Sequence, residues 1–152
     1  MTLSSRPNDT MIKFGYPDSL ICGYDHWAVL LRPHQATLGA LVLVCKDPVE
    51  AFGDLSAEAF AELQQATGDI ETALSAFRPY QRINYLMLMM VDRDVHFHVL
   101  PRYEQEQTFE GKVFADKGWP AVPDLAAGVQ LDGSAQADLV TAVKAVWPGA
   151  RG

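Results

Sequence analysis

The stretch Asp94 to Arg102, DVHFHVLPR, constrains the fold more than any other part of the chain. Val95, Phe97 and Val99 alternate there with His96 and His98. Successive residues of a strand point to opposite faces, so one face is apolar and the other carries two imidazoles about 6.6 Å apart. Asp94 continues the polar row if the strand begins early enough, which would set its carboxylate beside His96. A strand of this kind needs a sheet with one buried face. The turn Asp92-Arg93-Asp94 joins it to Ile83–Val91 (INYLMLMMV), an apolar run whose length and flanking Pro79 predict a strand covered on both faces. Trp27–Leu31 and Leu38–Cys45 are two more candidate strands, separated by a break at Arg32-Pro33-His34. Turns this short make the pairings antiparallel.

One long helix follows the second of these strands. Ser56 is its expected N-cap, with Glu58 in the first turn, where a negative charge suits the helix dipole. Phe60, Leu63, Thr67, Ile70, Leu74 and Phe77 fall on one stripe, and Pro79 ends the helix. Gly111–Leu125 reads as an ordered loop, and Ser134–Trp147 as a short helix with Leu139, Val143, Val146 and Trp147 on one side. The expected class is α+β: an antiparallel sheet with one long helix packed on it and a C-terminal helical tail. A chain of 152 residues, 49% apolar, has the length of one domain. Its core is expected at about residues 10–104, with an irregular loop and helix over 105–152.

Charge and cysteine content narrow the function. A net charge of -7 removes the broad attraction on which nucleic-acid binding depends. Cys22 and Cys45 form no disulfide framework and no zinc motif. Residues 1–9 lack the basic-then-apolar layout of a signal peptide, and no apolar run nears the roughly 20 residues that span a bilayer, so a cytoplasmic protein without a membrane partner is expected. The imidazole row fits three chemistries: a nucleophile towards phosphorus with a second His assisting, a metal site, or an anion site without turnover. Arg102 could steer a phosphate or simply be solvated; Lys46 and Arg32 read as surface charges, and Met87, Met89 and Met90 as core filler. His26 and His34 have no partner spacing and read as structural, and Trp119 as packing of the tail on the sheet.

The residues Asp94-Val-His96-Phe-His98-Val-Leu-Pro101-Arg102 resemble the signature of the histidine triad (HIT) family, His-φ-His-φ-His-φ-φ followed by Pro-Arg. The trailing Pro-Arg sets the register, equating His98 with the third His, His96 with the central nucleophilic His and Asp94 with the first. Gly39 to Lys46 resembles the family's Gly-His-φ-φ-φ-φ-Pro-Lys strand, and Asn84 lies where the family often has an Asn before the triad. Ala40 stands where the second of those residues is His, and Leu31 and Arg32 occupy the neighbourhood of the family's ribose-contacting Asp.

The resemblance covers roughly residues 24–103. It implies the family's antiparallel sheet with helices, often a homodimer, and nucleotidyl transfer to the central His followed by hydrolysis. It makes His96, His98 and Asp94 the catalytic candidates and Asn84, Arg102 and Lys46 the substrate-binding ones. The expected ligand is a nucleotide or other phosphate ester or anhydride, and the covalent chemistry requires no metal or cofactor. Two alternatives stand beside it: a HIT fold that binds a nucleotide or anion without turnover, and a cupin-like metal site on His96, His98 and Glu104.

Overall fold

The computed structural model describes residues 6–150. In chain order it holds helix α1 (Asp9–Lys13), strands β1 (Leu20–Gly23), β2 (Trp27–Leu31), β3 (His34–Gln35) and β4 (Leu41–Cys45), and helix α2 (Ala57–Phe77). Strands β5 (Arg82–Leu86), β6 (His96–Arg102), β7 (Gln107–Phe109), β8 (Lys112–Phe114) and β9 (Val129–Gln130) and helix α3 (Gly133–Ala145) follow. Five strands form the main sheet in the order β1-β2-β4-β6-β5, every pair antiparallel. Small two-stranded sheets pair β3 with β9 and β7 with β8.

The α+β architecture matches the sequence expectation, and so does the entry into the long helix. The Ser56 side chain accepts a hydrogen bond from the Ala59 amide at 3.0 Å, which satisfies one of the first-turn amides that have no partner inside the helix. The buried stripe of α2 is shifted from the expected one. Ala59, Ala66 and Ala73 are fully buried beside Ile70 and Leu74, whereas Phe60 is 39% exposed. Alanines let the helix lie close to the sheet, and Phe60 instead turns outward to meet Phe52.

The sheet has two unlike faces. Trp27, Val29, Leu31, Leu41, Leu43, Val95 and Val99 belong to the large core with Ile70 and Leu74 of α2 and Leu139 and Val143 of α3. Ala28, Leu30, Val42 and Val44 form a smaller cluster on the other face with Met11 of α1, flanked by Phe14, Tyr16 and Leu20. That second face carries the histidines.

Several boundaries correct the sequence reading. The apolar run Ile83–Val91 is a strand only to Leu86. Met89 has φ of 52°, which takes the chain out of the extended region, and Met90 and Val91 stand in solvent at 85% and 80% exposure. The strand of the histidines starts at His96 and continues through Pro101 to Arg102, so Asp94 lies outside it. The strand expected from Leu38 begins at Leu41, because Gly39 holds φ of 94°. The supposed break at Arg32-Pro33-His34 contains β3, and the supposed loop after Gly111 opens with β8.

Candidate functional site

Directly opposed residues of antiparallel strands project from the same face. The register sets His96 opposite Val44 and His98 opposite Val42 on β4, with Leu86 of β5 on the far side of His98. One step further along, Ala40, Leu100 and Asn84 share the same face, and at the end of β6 Arg102 faces Arg82. Period-two alternation therefore places His96, His98, Asn84 and Arg102 on one surface, as the sequence implied.

The two imidazoles meet edge to face with ring centroids 5.4 Å apart. His96 Nδ1 lies 2.7 Å from the carbonyl oxygen of Asp94. A carbonyl oxygen only accepts, so Nδ1 carries a proton, and in the neutral ring the lone pair is on Nε2. Burial pushes the His98 imidazole down to about 4, helped by the Arg32 cation and then by His96. His98 is neutral at pH 7.

Asp94 plays a different part from the one the row suggested. Its backbone orients His96, while its carboxylate turns to the start of α1, accepting from Thr10 Oγ1 at 2.8 Å and from the Thr10 amide at 3.3 Å. A carboxylate at the positive end of a helix is favourably placed. The expectation that it sits beside the His96 imidazole is thus corrected: the bend before β6 sends the side chain the other way.

Arg102 is not a free phosphate hook. Its Nε and Nη2 donate to the two oxygens of Asp116 at 2.7 and 3.0 Å, Nη2 also to the Ala121 carbonyl at 2.9 Å, and Nη1 to Asn84 Oδ1 at 2.7 Å. The fork is filled, and both charged side chains are at most 5% exposed. Asn84 and Arg102 nonetheless line one cavity of about 460 Å³ with Arg82 and Trp119. Lys46 gives its ammonium to the Tyr24 carbonyl and its amide to the His26 carbonyl, partners other than His96 and His98. Glu104 of the cupin-like alternative is exposed beyond the end of β6. Among the described residues no three His, Cys, Asp or Glu side chains group as a metal cage.

No protein-family model matches the sequence, and no curated protein matches it. Solved structures do resemble it. A histidine triad protein from Sinorhizobium meliloti is 15% identical, with a TM-score of 0.67 over 93% of this chain and 96% of that one. Another from Marinobacter aquaeolei is 14% identical, with a TM-score of 0.67 over 93% and 95%. A hypothetical histidine triad nucleotide-binding protein from Sulfolobus tokodaii is 15% identical, with a TM-score of 0.62 over 94% and 89%. The fold is the histidine triad fold.

On this histidine triad fold two features escaped the sequence reading, because neither has a motif. The first is a cover. Phe14, just after α1, packs its ring 5.6 Å from that of His98 and 6.5 Å from that of His96. His96 and His98 are accordingly only 2% and 8% exposed. The cover is held by the Thr10 bonds to Asp94, by Asn8 Nδ2 donating to the Cys45 carbonyl at 2.8 Å and by a Lys13–Asp92 ion pair at 2.9 Å. The second is Arg32, which the sequence reads as a surface charge: it is half-buried instead, because it continues β2 by donating its amide to the Ala40 carbonyl at 3.0 Å. The other two histidines lie in structural contacts. His26 pairs with Asp47, which raises its pKa, and His34 bonds the Ala127 carbonyl. Among the described residues no helix is long and apolar enough to cross a membrane.

Proposed function

We propose that this chain belongs to the histidine triad family, as a member with Asp in place of the first histidine, and hydrolyses a nucleotide or other phosphate ester or anhydride through His96. The observation that carries the reading is the hydrogen bond from His96 Nδ1 to the Asp94 carbonyl, which makes Nε2 the lone-pair atom of the neutral ring on a face shared with a second imidazole. In the first step the Nε2 lone pair forms a bond to phosphorus as the bond from phosphorus to the leaving oxygen breaks. Neutral His98 donates a hydrogen bond to a phosphoryl oxygen. The leaving oxygen keeps the pair of the bond that breaks and takes a proton from solvent; in the second step water attacks phosphorus, the P–N bond breaks and returns its pair to Nε2, one proton of the water stays with the phosphate product and the other returns to solvent. Asn84 borders the same surface through the cavity it lines. Substrate entry requires Phe14 to move aside, since it packs on both rings.

A screen of nucleotides, sugar phosphates and anhydrides should find turnover in the wild type, a phospho- or nucleotidyl-His96 adduct on acid-free quenching, and loss of at least a hundredfold in His96→Ala. Activity in His96→Ala within a few-fold of wild type would remove the nucleophile assignment. The burial of both imidazoles favours one second reading, an anion-binding histidine triad protein without turnover. Ligand-induced shifts of the His96 ring resonances without any adduct would select it.

The homodimer implied by the family resemblance is also part of this proposal. Among the described residues the edge strand β5 pairs on one side only, with β6, and an unpaired strand edge can pair with a second copy. Light scattering at micromolar concentration should give twice 16.7 kDa; a mass of 16.7 kDa would mean that the edge stays unpaired.

A further inference from the structure

We propose that Arg32 determines specificity by holding a second anionic group, carboxylate or phosphate, on the phosphate-bearing ligand. The inference rests on the reading of the histidine face as a phosphate site and names the class of molecule that site takes. Two arginines reach this face of the sheet, and their surroundings differ. Arg102 has its counter-ion in Asp116 and every branch of its fork is occupied. Arg32 gives Nη1 to the His34 carbonyl at 2.9 Å, while its Nε is buried without a partner. Burial alone lowers its pKa, with no carboxylate among the causes. Arg32 is half-buried, and among the described residues no carboxylate pairs with it; a partly desolvated guanidinium left so gains when something anionic arrives to pair with it.

The register shows where that anion would sit. Arg32 donates its amide to the Ala40 carbonyl, and Ala40 clusters with Leu100, two residues along β6 from His98. The charge of Arg32 is felt at His98, whose Nδ1 is likewise buried and without a partner. Two orphaned nitrogens, one of them on a cation close enough for its charge to act on His98, thus belong to the face where the phosphoryl group would meet His96. A guanidinium suits the paired oxygens of a carboxylate or phosphate, and offers a neutral hydroxyl far less. General attraction of anions does not explain such a preference, because the chain carries a net charge of -7.

The test uses matched ligands that differ by one anionic group: ethyl phosphate against phosphoglycolate for a carboxylate, and ribose phosphate against ribose bisphosphate for a second phosphate. Binding is measured by calorimetry on the wild type and on His96→Ala, so that absence of turnover has no bearing on the result. At least one dianionic partner should bind ten times more tightly than its mate or better. In Arg32→Gln that ratio should fall to within twofold while the weaker mate keeps its affinity, and Arg32→Lys should retain part of the preference. The titration midpoint of His98, followed by ring-proton resonances, should rise in Arg32→Gln from about 4, which reports that the cation faced it. A wild type that binds both mates of each pair equally, or binds none of the four, overturns the assignment. So does an Arg32→Gln protein that weakens both mates alike. The His96 adduct experiment is decided separately in every case.

Discussion

Asp116→Ala should destabilise the protein by about 3–5 kcal/mol, the usual loss when one member of a buried ion pair is removed. Asp116 is 1% and Arg102 5% exposed at the side chain, so the guanidinium left behind would be a nearly buried charge without its counter-ion. The same carboxylate also accepts from the Tyr103 amide at 3.2 Å, and that donor would be orphaned too. Arg102→Met combined with Asp116→Leu should lose much less than the single change, because it leaves no charge unpaired. Urea unfolding of the three proteins checks this. A single-mutant loss below about 1 kcal/mol would mean that the pair is solvated. The pair ties the segment after β8 to the end of β6, so Asp116→Ala should also loosen Trp119 and raise its fluorescence sensitivity to quencher.

Acid should weaken the fold through His98. Its pKa is about 4 in the folded chain against about 6.5 when unfolded. Between these values the unfolded chain binds the extra proton, so stability rises with pH over that window. The neutral-imidazole contribution is complete above about 6.5 and is lost as pH falls through 6.5 towards 4. For a group that is 8% exposed, a shift of this size corresponds to about 3 kcal/mol. Replacing His98 with Gln, which cannot titrate, should flatten the slope of unfolding free energy between pH 4.5 and 6.5 (roughly the window set by those two values). Parallel slopes in the two proteins would show that His98 is protonated inside the fold.

The sequence disclosed the histidine face because strand alternation is a local rule: two residues apart means one surface, wherever the strand lies. It disclosed the start of α2 for the same reason, since Ser56 caps a helix with its own side chain. The end of β5 was hidden because INYLMLMMV is apolar throughout, and only the left-handed turn at Met89 shows where extension stops. Asp94 was misread by the length of one step, because the row depends on where pairing begins, and pairing begins at His96. The alanines of α2 escaped a search for large apolar residues. Arg102 and Asp116 lie 14 positions apart, and Phe14 reaches His98 from the far end of the chain. Contacts of that kind belong to the assembled sheet and leave no periodic trace.

The cover formed by α1 and Phe14 sets the scale on which this protein binds anything at its histidines. Lifting it exposes buried Met11 and the covered part of half-buried Phe14; with roughly 1.5–3 kcal/mol for full burial of such a side chain and about half of that for Phe14, the open form holds about one molecule in fifty to one in two thousand. Every ligand of the face then shows an affinity reduced by that fraction, while the ratio between two ligands is untouched. Association should accordingly level off at high ligand concentration, at the rate at which the first helix leaves the sheet.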